Sequence, residues 1–429
     1  MGKLKVLGFI LVVLVLVAIP LMGACAAPTP PEEEAPPPEE EAPPPKTLKI
    51  GCTAPMHMPE GIQIKKWLEL LAEDLNNHGG LLVKGQRYNV EVIVYDDGYT
   101  ADGGKAAAER LVYEDKVKFI VAQWGSAPIL GTLTVCEPNK VLQFCNGMTE
   151  KFMDPQYHYI FRTTSLFWLG KRDEGGVKAI KDQGYAPTVV LLNPDNIPGK
   201  GFTMLLTKIY ASLGVEVLDS LFYKEGTADF TPFATKIKSI NPGFVDTGCT
   251  PAGAPTLLTA KALYDVGYEG GQVYHNIETT LAEIVDKIGA EPCEGWMCEF
   301  KDPRGYVDDP EMMRLCDLYE EKYGVWETDA CNWVSGWFFF VEAVKKADSL
   351  DPDDVARAMQ HLEVQTLVGK VRMVARPDVA PSFTRTADSC QEYALGIVSN
   401  GKMEIYERYG IDENHEATIR VHGMEEAYK

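Results

Sequence analysis

The fold is decided by residues 88–124, YNVEVIVYDDGYTADGGKAAAERLVYEDKVKFIVAQW. The part YNVEVIVYDD predicts a strand, ADGGKAAAERLVYED predicts a helix, and VKFIVAQW predicts a second strand. Strand, helix and strand in this order are typical of two parallel strands joined by a right-handed helical crossover. The stretch therefore indicates an α/β fold with a doubly wound sheet.

The same alternation continues on both sides of this stretch. Upstream, the strand TLKIGCTAP precedes a helix in which Ile64, Trp67, Leu68, Leu71 and Leu75 recur at helical spacing before a Gly-Gly stop. Downstream, a second series of helices and strands runs from GKRDEGGVKAIKDQG to GQVYHN. We therefore predict two sheets of the same kind. Neither series carries GxGxxG or GxxxxGK[ST] at a strand-to-helix turn, so nucleotide binding has no support.

The N-terminus predicts export and anchoring. Two lysines precede an apolar run over 6–19, and small residues lead into Cys25, which is the layout of a signal peptide over 1–24. The run is shorter than the ~20 residues of a spanning helix. The ending LMGAC resembles a bacterial lipobox, which predicts a lipidated Cys25; an ordinary cleavage site is the alternative. Residues 25–46 continue as a Pro- and Glu-rich stalk that favours extended polyproline II.

Size, charge and cysteines narrow the class of protein. About 380 residues follow the stalk, which is more than one core usually supports, so two domains are expected. A formal charge of -21 argues against nucleic acid as a partner. The chain has ten cysteines, and Cys293 and Cys298 are close enough to form a small disulfide loop. No short Cys or His pair faces a second one, so no metal site or cofactor is expected.

Seven stretches carry a resemblance to a known family, and they are NNHGG, VYDDGYTADGGKAAAERLV, VKFIVAQWGSAP, YIFRTT, TADFTPFATKIKSINP, ALYDVGYEG and WVSGWFFFVEAVKKADSLDPDDVARAMQHL. In order and spacing they resemble the substrate-binding lipoproteins of the branched-chain amino acid type, which feed ABC importers. The likeness extends from Thr47 to Tyr409. It implies an extracytoplasmic receptor for a small ligand, with a permease as its partner. Relatives take up aliphatic amino acids, amides, urea and aromatic acids.

The resemblance also implies a type I periplasmic-binding-protein fold with two Rossmann-like lobes and a ligand cleft between them. Three crossings of the chain would join the lobes, near Thr164, Phe300 and Arg372. Lobe 1 would comprise residues 47–164 and 301–372, and lobe 2 residues 165–300 and 373–425. Ligands in open α/β sheets bind outside the carboxyl ends of the strands, which agrees with a cleft at that edge.

Two loops of lobe 1 supply the first candidate site residues. In QWGSAP, Ser126 is placed to cap a helix. The backbone N–H groups at the start of that helix, with the Ser126 hydroxyl, form an anion site that suits a carboxylate. The family's corresponding loop holds the ligand carboxylate, which points to Gly125, Ser126 and Ala127. A purely capping role for Ser126 is the alternative. In CNGMTE, the residues that match the family's second ligand loop are Gly147, Met148 and Thr149; a capping role is again the alternative for Thr149.

The remaining candidates lie at the cleft rim and on lobe 2. Trp124, Phe167 and Trp168 fall near the rim, with a core position as the alternative for each. Glu60 stands where relatives often have an aromatic residue, and Glu278 is the acidic residue expected to neutralise a ligand ammonium.

Lobe 2 departs from the family at two turns. The tyrosines that relatives often carry there are replaced by Pro198 in one turn and by Thr250 and Pro251 in the other.

Two other classes of function are weighed against transport. A hydrolase would need a base for Ser126, but His57, His158 and His275 are scattered without a nucleophile elbow or a Glu-x-x-His pattern. A sensor would use the same two-lobed module. Sensors usually continue into a transmembrane or output segment, whereas the lipid anchor and stalk suit delivery to a permease. We therefore expect a binding protein and no enzyme activity.

Overall fold

The computed structural model describes residues 43–413 apart from 148, 150, 155, 165–167, 252 and 375–387. The predicted signal peptide, Cys25 and nearly all of the stalk lie outside this part. Lys46, predicted as the last stalk residue, already pairs with Tyr88 at the start of a strand. None of the helices that can be described is long and apolar enough to cross a bilayer.

The first sheet has six strands in the order β2-β3-β1-β4-β5-β6. They are β1 (Lys46–Ala54), β2 (Leu81–Val83), β3 (Gln86–Asp96), β4 (Phe119–Trp124), β5 (Leu142–Asn146) and β6 (Ile160–Arg162). Only β2 runs antiparallel to its neighbour, and the other pairs are parallel. Parallel pairing brings the carboxyl ends of β1, β3, β4, β5 and β6 to one edge.

The second sheet has seven strands in the order β16-β15-β11-β10-β9-β7-β8. They are β7 (Thr188–Pro194), β8 (Glu216–Tyr223), β9 (Phe244–Asp246), β10 (Gly271–Tyr274), β11 (Met297–Glu299), β15 (Tyr393–Ser399) and β16 (Lys402–Tyr409). The five strands from β7 to β11 are parallel, and β15 and β16 add an antiparallel edge. The predicted pair of doubly wound sheets is confirmed.

A small third sheet, β12 (Glu363–Thr366), β13 (Gly369–Val374) and β14 (Asp388–Gln391), precedes the last passage of the chain into the second sheet. The crossing predicted near Arg372 lies further along the chain. Arg372 pairs with Glu363 and Cys390 inside the third sheet, and the chain reaches the second sheet only at Tyr393. The exact bounds of the two lobes stay a prediction.

Twelve α-helices flank the sheets in the described part of the chain. They are α1 (Pro59–Asn77), α2 (Ala101–Glu109), α3 (Ser126–Cys136), α4 (Trp168–Asp182), α5 (Ile197–Ser212), α6 (Thr231–Ile240), α7 (Ala254–Asp265), α8 (Leu281–Ile288), α9 (Pro303–Tyr306), α10 (Pro310–Tyr323), α11 (Ser335–Ala347) and α12 (Pro352–Ala358). Helix α1 shows why the sequence folds this way. Its predicted apolar face is buried, with Ile64, Trp67 and Leu68 fully inaccessible, and two glycines with positive φ follow its end.

The first core closes when α11 returns to the first sheet late in the chain. Phe340 packs against Phe119 of β4 with ring centroids 5.2 Å apart and against Phe144 of β5 at 6.1 Å. All three side chains are fully buried. The aromatic run WFFF is therefore core, and it places the loop before α11 at the same edge as the strand ends of the first sheet.

Candidate functional site

A cavity of about 590 Å³ lies between the two sheets, at the carboxyl ends of their parallel strands. The first-sheet side contributes Met58, Glu60, Tyr99, Trp124, Gly125, Ser126, Asn146, Gly147, Thr164, Asp329 and Trp333. The second-sheet side contributes Pro194, Asn196, Pro198, Tyr223, residues 225–228, Cys249, Pro251, Ala254, Pro255, Leu258, His275, Asn276 and Lys301. The volume is in the usual range for small-molecule sites, ~300–1,000 Å³.

The turn between β4 and α3 is shaped by backbone conformations that few residues adopt. Ala122, inside β4, has φ +54°, and the register with β5 shifts between Ile120 and Gln123. This bulge re-aims the end of the strand toward the cavity. Gly125 follows with φ +97°, and a Cβ there would lie 2.5 Å from the Tyr99 ring. Only glycine fits this turn, because the ring covers it.

Ser126 is the first residue of α3, and Gly125 occupies the N-cap position without a side-chain cap. The prediction that Ser126 caps the helix is therefore wrong. Its Oγ instead accepts a hydrogen bond from the Thr149 backbone N at 3.1 Å, and only 9% of Ser126 is exposed. The hydroxyl thus joins the loop after β5 to the start of α3.

The structure brings together five of the predicted ligand residues at the cavity wall: Glu60, Trp124, Gly125, Ser126 and Gly147. Three others, Ala127, Thr149 and Glu278, are not part of its described lining.

The side chains of the last three predicted ligand residues are not among those that the structure describes. Met148 and Phe167 fall outside the described residues, and only the backbone of Trp168 is described, as the first residue of α4.

Three aromatic rings form a row along the first-sheet wall. The centroids of Tyr99 and Trp124 are 5.0 Å apart, and those of Trp124 and Trp333 are 5.9 Å apart. Asp97 holds the backbone of Tyr99 in place, because Asp97 Oδ1 accepts a hydrogen bond from the Tyr99 backbone N–H at 2.9 Å. Burial raises the pKa of Asp97 to about 6. The backbone of Trp333 is held by Asn146, whose Nδ2 donates a hydrogen bond to the Trp333 backbone O at 2.5 Å. Tyr99 and Trp333 were not predicted from sequence.

The second-sheet wall is mainly apolar and contains the replacements noted in the sequence. Pro198 and Pro251 both line the cavity, so the departures from the family lie in the site. Tyr223, at the end of β8, supplies an aromatic ring from a different strand, and its hydroxyl donates to Thr250 Oγ1 at 3.3 Å. Tyr223 was not predicted as a site residue; its position at the end of the predicted strand EVLDSLFY is the sequence signal that could have found it.

Three charged groups on the cavity wall interact with one another. Lys301, two residues after β11, is 5% exposed, and its Nζ donates to Asn276 Oδ1. Glu60 and Asp329 line the facing first-sheet side. Burial raises the pKa of Glu60, and Asp329 adds to the rise while Lys301 opposes it.

Glu278 does not take the position predicted for it. Its Oε2 accepts the Lys301 backbone N at 2.7 Å, so the carboxylate is engaged by the main chain beside the cavity. Burial raises the pKa of Glu278 to about 7, and the Lys301 contacts oppose this rise. The acidic residues that line the cavity are instead Glu60, Glu225 and Asp329.

The predicted disulfide between Cys293 and Cys298 is not present in the structure, where both are buried free thiols. Cys293 Sγ donates to Gly289 O and Cys298 Sγ to His275 O, each at 3.4 Å, so the two side chains bond to different carbonyls. Cys249 lines the cavity and is the one half-buried cysteine among those described. Burial raises the pKa of its thiol to about 12.

The groups needed for other chemistry are dispersed. Within the described ranges, no three His, Cys, Asp or Glu side chains cluster as metal ligands. Of the three histidines weighed for a hydrolase, His57 and His158 are exposed, and His275 lines the second-sheet wall. The arrangement is suited to enclosing a small molecule.

Comparison with solved structures finds the same architecture in other proteins. A leucine-binding protein from Thermotoga maritima matches with TM-score 0.68 and 19% identity, over 85% of this chain and 99% of that chain. A leucine-, isoleucine-, valine-, threonine- and alanine-binding protein from Brucella ovis, in its closed conformation, matches with TM-score 0.70 and 20% identity, over 86% and 96%. At these identities the likeness establishes the fold.

An ABC-transporter solute-binding protein from R. palustris, in complex with 4-hydroxybenzoate, matches with TM-score 0.69 and 20% identity, over 85% of this chain and 96% of that chain. A family model described as periplasmic binding protein matches residues 47–383. The comparison with curated proteins finds no match.

Proposed function

Because the chain belongs to the periplasmic binding protein family, we propose that it is the solute receptor of an ABC importer. It binds an amino acid, or a related amide or carboxylate, in the cavity between its two sheets. The observation that carries this proposal is the position of the cavity, where the strand ends of both sheets face each other. A ligand held there contacts both sides at once.

Contact with both sides explains how binding is reported to a partner. A ligand that interacts with both lobes stabilises the closed arrangement over the open one, which is hinge closure. The permease then recognises the closed form. Binding requires no chemical step, so we propose no enzyme activity.

The cavity suits a ligand with an apolar body and a few polar groups. The three-ring row and the prolines of the second-sheet wall provide apolar surface, and fewer polar side chains lie among them. The solved relatives include one whose name gives leucine, isoleucine, valine, threonine and alanine, and one solved with 4-hydroxybenzoate. Both classes have this combination of an apolar body and a carboxylate.

A ligand ammonium, where one is present, would be neutralised from the first sheet. Glu60 and Asp329 are acidic residues of the first-sheet wall, and Asp329 Oδ2 also accepts a hydrogen bond from Gln63 Nε2 at 3.0 Å. Two carboxylates near one another favour a cation between them. We propose this pair for the role that the sequence suggested for Glu278.

The location follows from the sequence in this proposal. Cleavage of residues 1–24 and lipidation of Cys25 would leave the body on the outer face of the membrane, at the end of a Pro- and Glu-rich stalk. The permease would lie in the same membrane. Metabolic labelling with a fatty acid tests the anchor: we expect the wild type to incorporate the label and Cys25→Ser to lose it.

The ligand proposal is tested by thermal melting of the full chain against amino acids, their amides, urea and aromatic carboxylates. A ligand at a hundred times its Kd adds about 2.7 kcal/mol to the free energy of unfolding. We expect a selective rise in Tm for one chemical class. If no compound of the panel raises Tm, the proposed ligand class is wrong.

A further inference from the structure

Lys301 is the only lysine or arginine among the described residues that line the cavity. It follows β11 on the second sheet and is 5% exposed. A buried ammonium group loses its hydration, which is costly unless hydrogen bonds or an anion replace the water. The partners of this one group therefore indicate what the cavity is built to receive.

The side chain of Lys301 makes a single hydrogen bond in the described structure. Its Nζ donates to Asn276 Oδ1, and an ammonium group can donate three. Glu278 accepts from the Lys301 backbone N, not from the ammonium. Among the residues described, no carboxylate forms an ion pair with Lys301. The ammonium thus keeps donors for a group inside the cavity.

Asn276 is fixed so that it serves this lysine. Its Nδ2 donates to the Thr250 backbone O at 3.1 Å, which leaves Oδ1 to face Lys301. Asn276 also lines the cavity. The ammonium is therefore held in position by a side chain that is itself held by the main chain.

We propose that Lys301, positioned by Asn276, binds the anionic group of the ligand, whose apolar body lies along the rings of Tyr99, Trp124 and Trp333. This inference rests on the proposed function and narrows it to carboxylates with an apolar body. It also moves the main carboxylate contact from the Ser126 loop, as predicted from sequence, to the second sheet. Ser126 Oγ already accepts the Thr149 N–H.

Such a site discriminates against neutral analogues. An amide in place of the carboxylate gives the ammonium no anion to accept its remaining hydrogen bonds, and a buried charge whose donors are incompletely satisfied is unfavourable. We therefore expect the chain to prefer an acid to the amide of the same skeleton. We attribute the difference to the ammonium group of Lys301.

The test is calorimetric titration of the full chain with three acid and amide pairs: benzoate and benzamide, L-leucine and L-leucinamide, and L-phenylalanine and L-phenylalaninamide. The variants are Lys301→Met, which keeps the length without the charge, Lys301→Arg, which keeps the charge, and Lys287→Met as control. Lys287 lies on α8 with 45% of its side chain exposed. Lys301→Gln serves if Lys301→Met melts at a much lower temperature.

We expect the wild type and Lys287→Met to bind one acid more tightly than its amide. Lys301→Met should bind that acid about 10- to 100-fold more weakly, with little change for the amide. Lys301→Arg should restore part of the preference. If an acid binds and Lys301→Met keeps the preference, or if only Ser126→Ala removes it, the Lys301 assignment is wrong while the proposed function stands. If no acid binds the wild type while an amide or another compound of the melting panel does, the Lys301 assignment is wrong and the proposed function stands; if no compound of either panel binds, both are overturned.

Discussion

The side-chain amide of Asn332 donates a hydrogen bond to Glu299 Oε1 at 3.2 Å, joining the loop before α11 to the end of β11. The other two passages between the sheets also meet this residue. Thr164 Oγ1 donates to the Asn332 backbone O at 2.9 Å, and Gln391 Nε2 donates to Asn332 Oδ1 at 3.5 Å. All four side chains are buried. Asn332 is therefore the common anchor of the three connections about which the lobes would move.

Asn332→Ala should lower the free energy of unfolding by about 1 to 3 kcal/mol, because it removes two buried side-chain hydrogen bonds, one of them to a carboxylate. Urea denaturation monitored by tryptophan fluorescence measures the change. The matched control is Asn77→Ala at the exposed end of α1, which should change stability by less than about 0.5 kcal/mol. Equal effects in the two variants would contradict the role of Asn332 as an anchor.

Gly125→Ala should disturb both stability and the aromatic row. A Cβ at φ +97° is strained by about 1 to 3 kcal/mol, and here it also meets the Tyr99 ring at 2.5 Å. We expect a lower Tm and a changed tryptophan fluorescence spectrum, since Tyr99 packs on Trp124.

The control for Gly125 is Gly184→Ala at the end of α4. Gly184 has φ +84°, and a Cβ there would meet nothing within 4 Å. This variant carries backbone strain without the clash, so its Tm should fall while its fluorescence spectrum and ligand affinity stay unchanged. Identical spectra for Gly125→Ala and wild type would show that Tyr99 does not rest on Gly125.

The fold could be predicted because it depends on local patterns. Alternation of strands and helices identifies parallel strands, and ligands of such sheets bind at the carboxyl ends of the strands. This reasoning points to the turn at Gly125 and Ser126, and both residues line the cavity. Glu60 is a candidate because it matches a position that is often aromatic in relatives, and it follows β1 and lines the cavity. Each of these inferences needs only the sequence around one strand end.

The rest of the site could not be predicted, because it is assembled by the chain's later passages. Trp333 and Asp329 reach the first-sheet wall only when the chain returns before α11, and Lys301 enters from the crossing after β11. No local pattern distinguishes them from core or surface residues. The position of Glu278 could not be predicted for a related reason. The turn after β10 directs the Glu278 carboxylate to the Lys301 backbone N–H, which comes from a later segment of the chain.

Stability should decline as pH rises between about 4.5 and about 7. Burial raises the pKa of Glu278 from 4.5 to about 7, so the folded state binds this proton more tightly than the unfolded state. The free energy of unfolding therefore falls with pH in this window and levels above it. Asp97, with a pKa raised by burial from 3.8 to about 6, acts in the same direction at lower pH.

Glu278→Gln should flatten this decline and raise stability at pH 8 by roughly 1 to 3 kcal/mol, because a neutral amide can still accept the Lys301 N–H. Urea melts between pH 5 and pH 8 measure the slope. Glu283→Gln on α8 is the control, since Glu283 is exposed and pairs with Lys287. An unchanged slope in Glu278→Gln would show that this carboxyl is not the group responsible.

Ligand binding should protect Cys249 from alkylation. Cys249 lines the cavity and is half-buried, whereas Cys136 on α3 is fully buried. With iodoacetamide at pH 8, peptide mass spectrometry should find labelling at Cys249 before Cys136, because an open cavity admits the reagent to Cys249. The labelling should be slow, because burial raises the pKa of the Cys249 thiol to about 12. A compound that raises Tm should slow labelling at Cys249 alone. Equal labelling rates at the two cysteines would contradict access to Cys249 through the cavity. Absence of protection by such a compound would place the ligand outside this cavity.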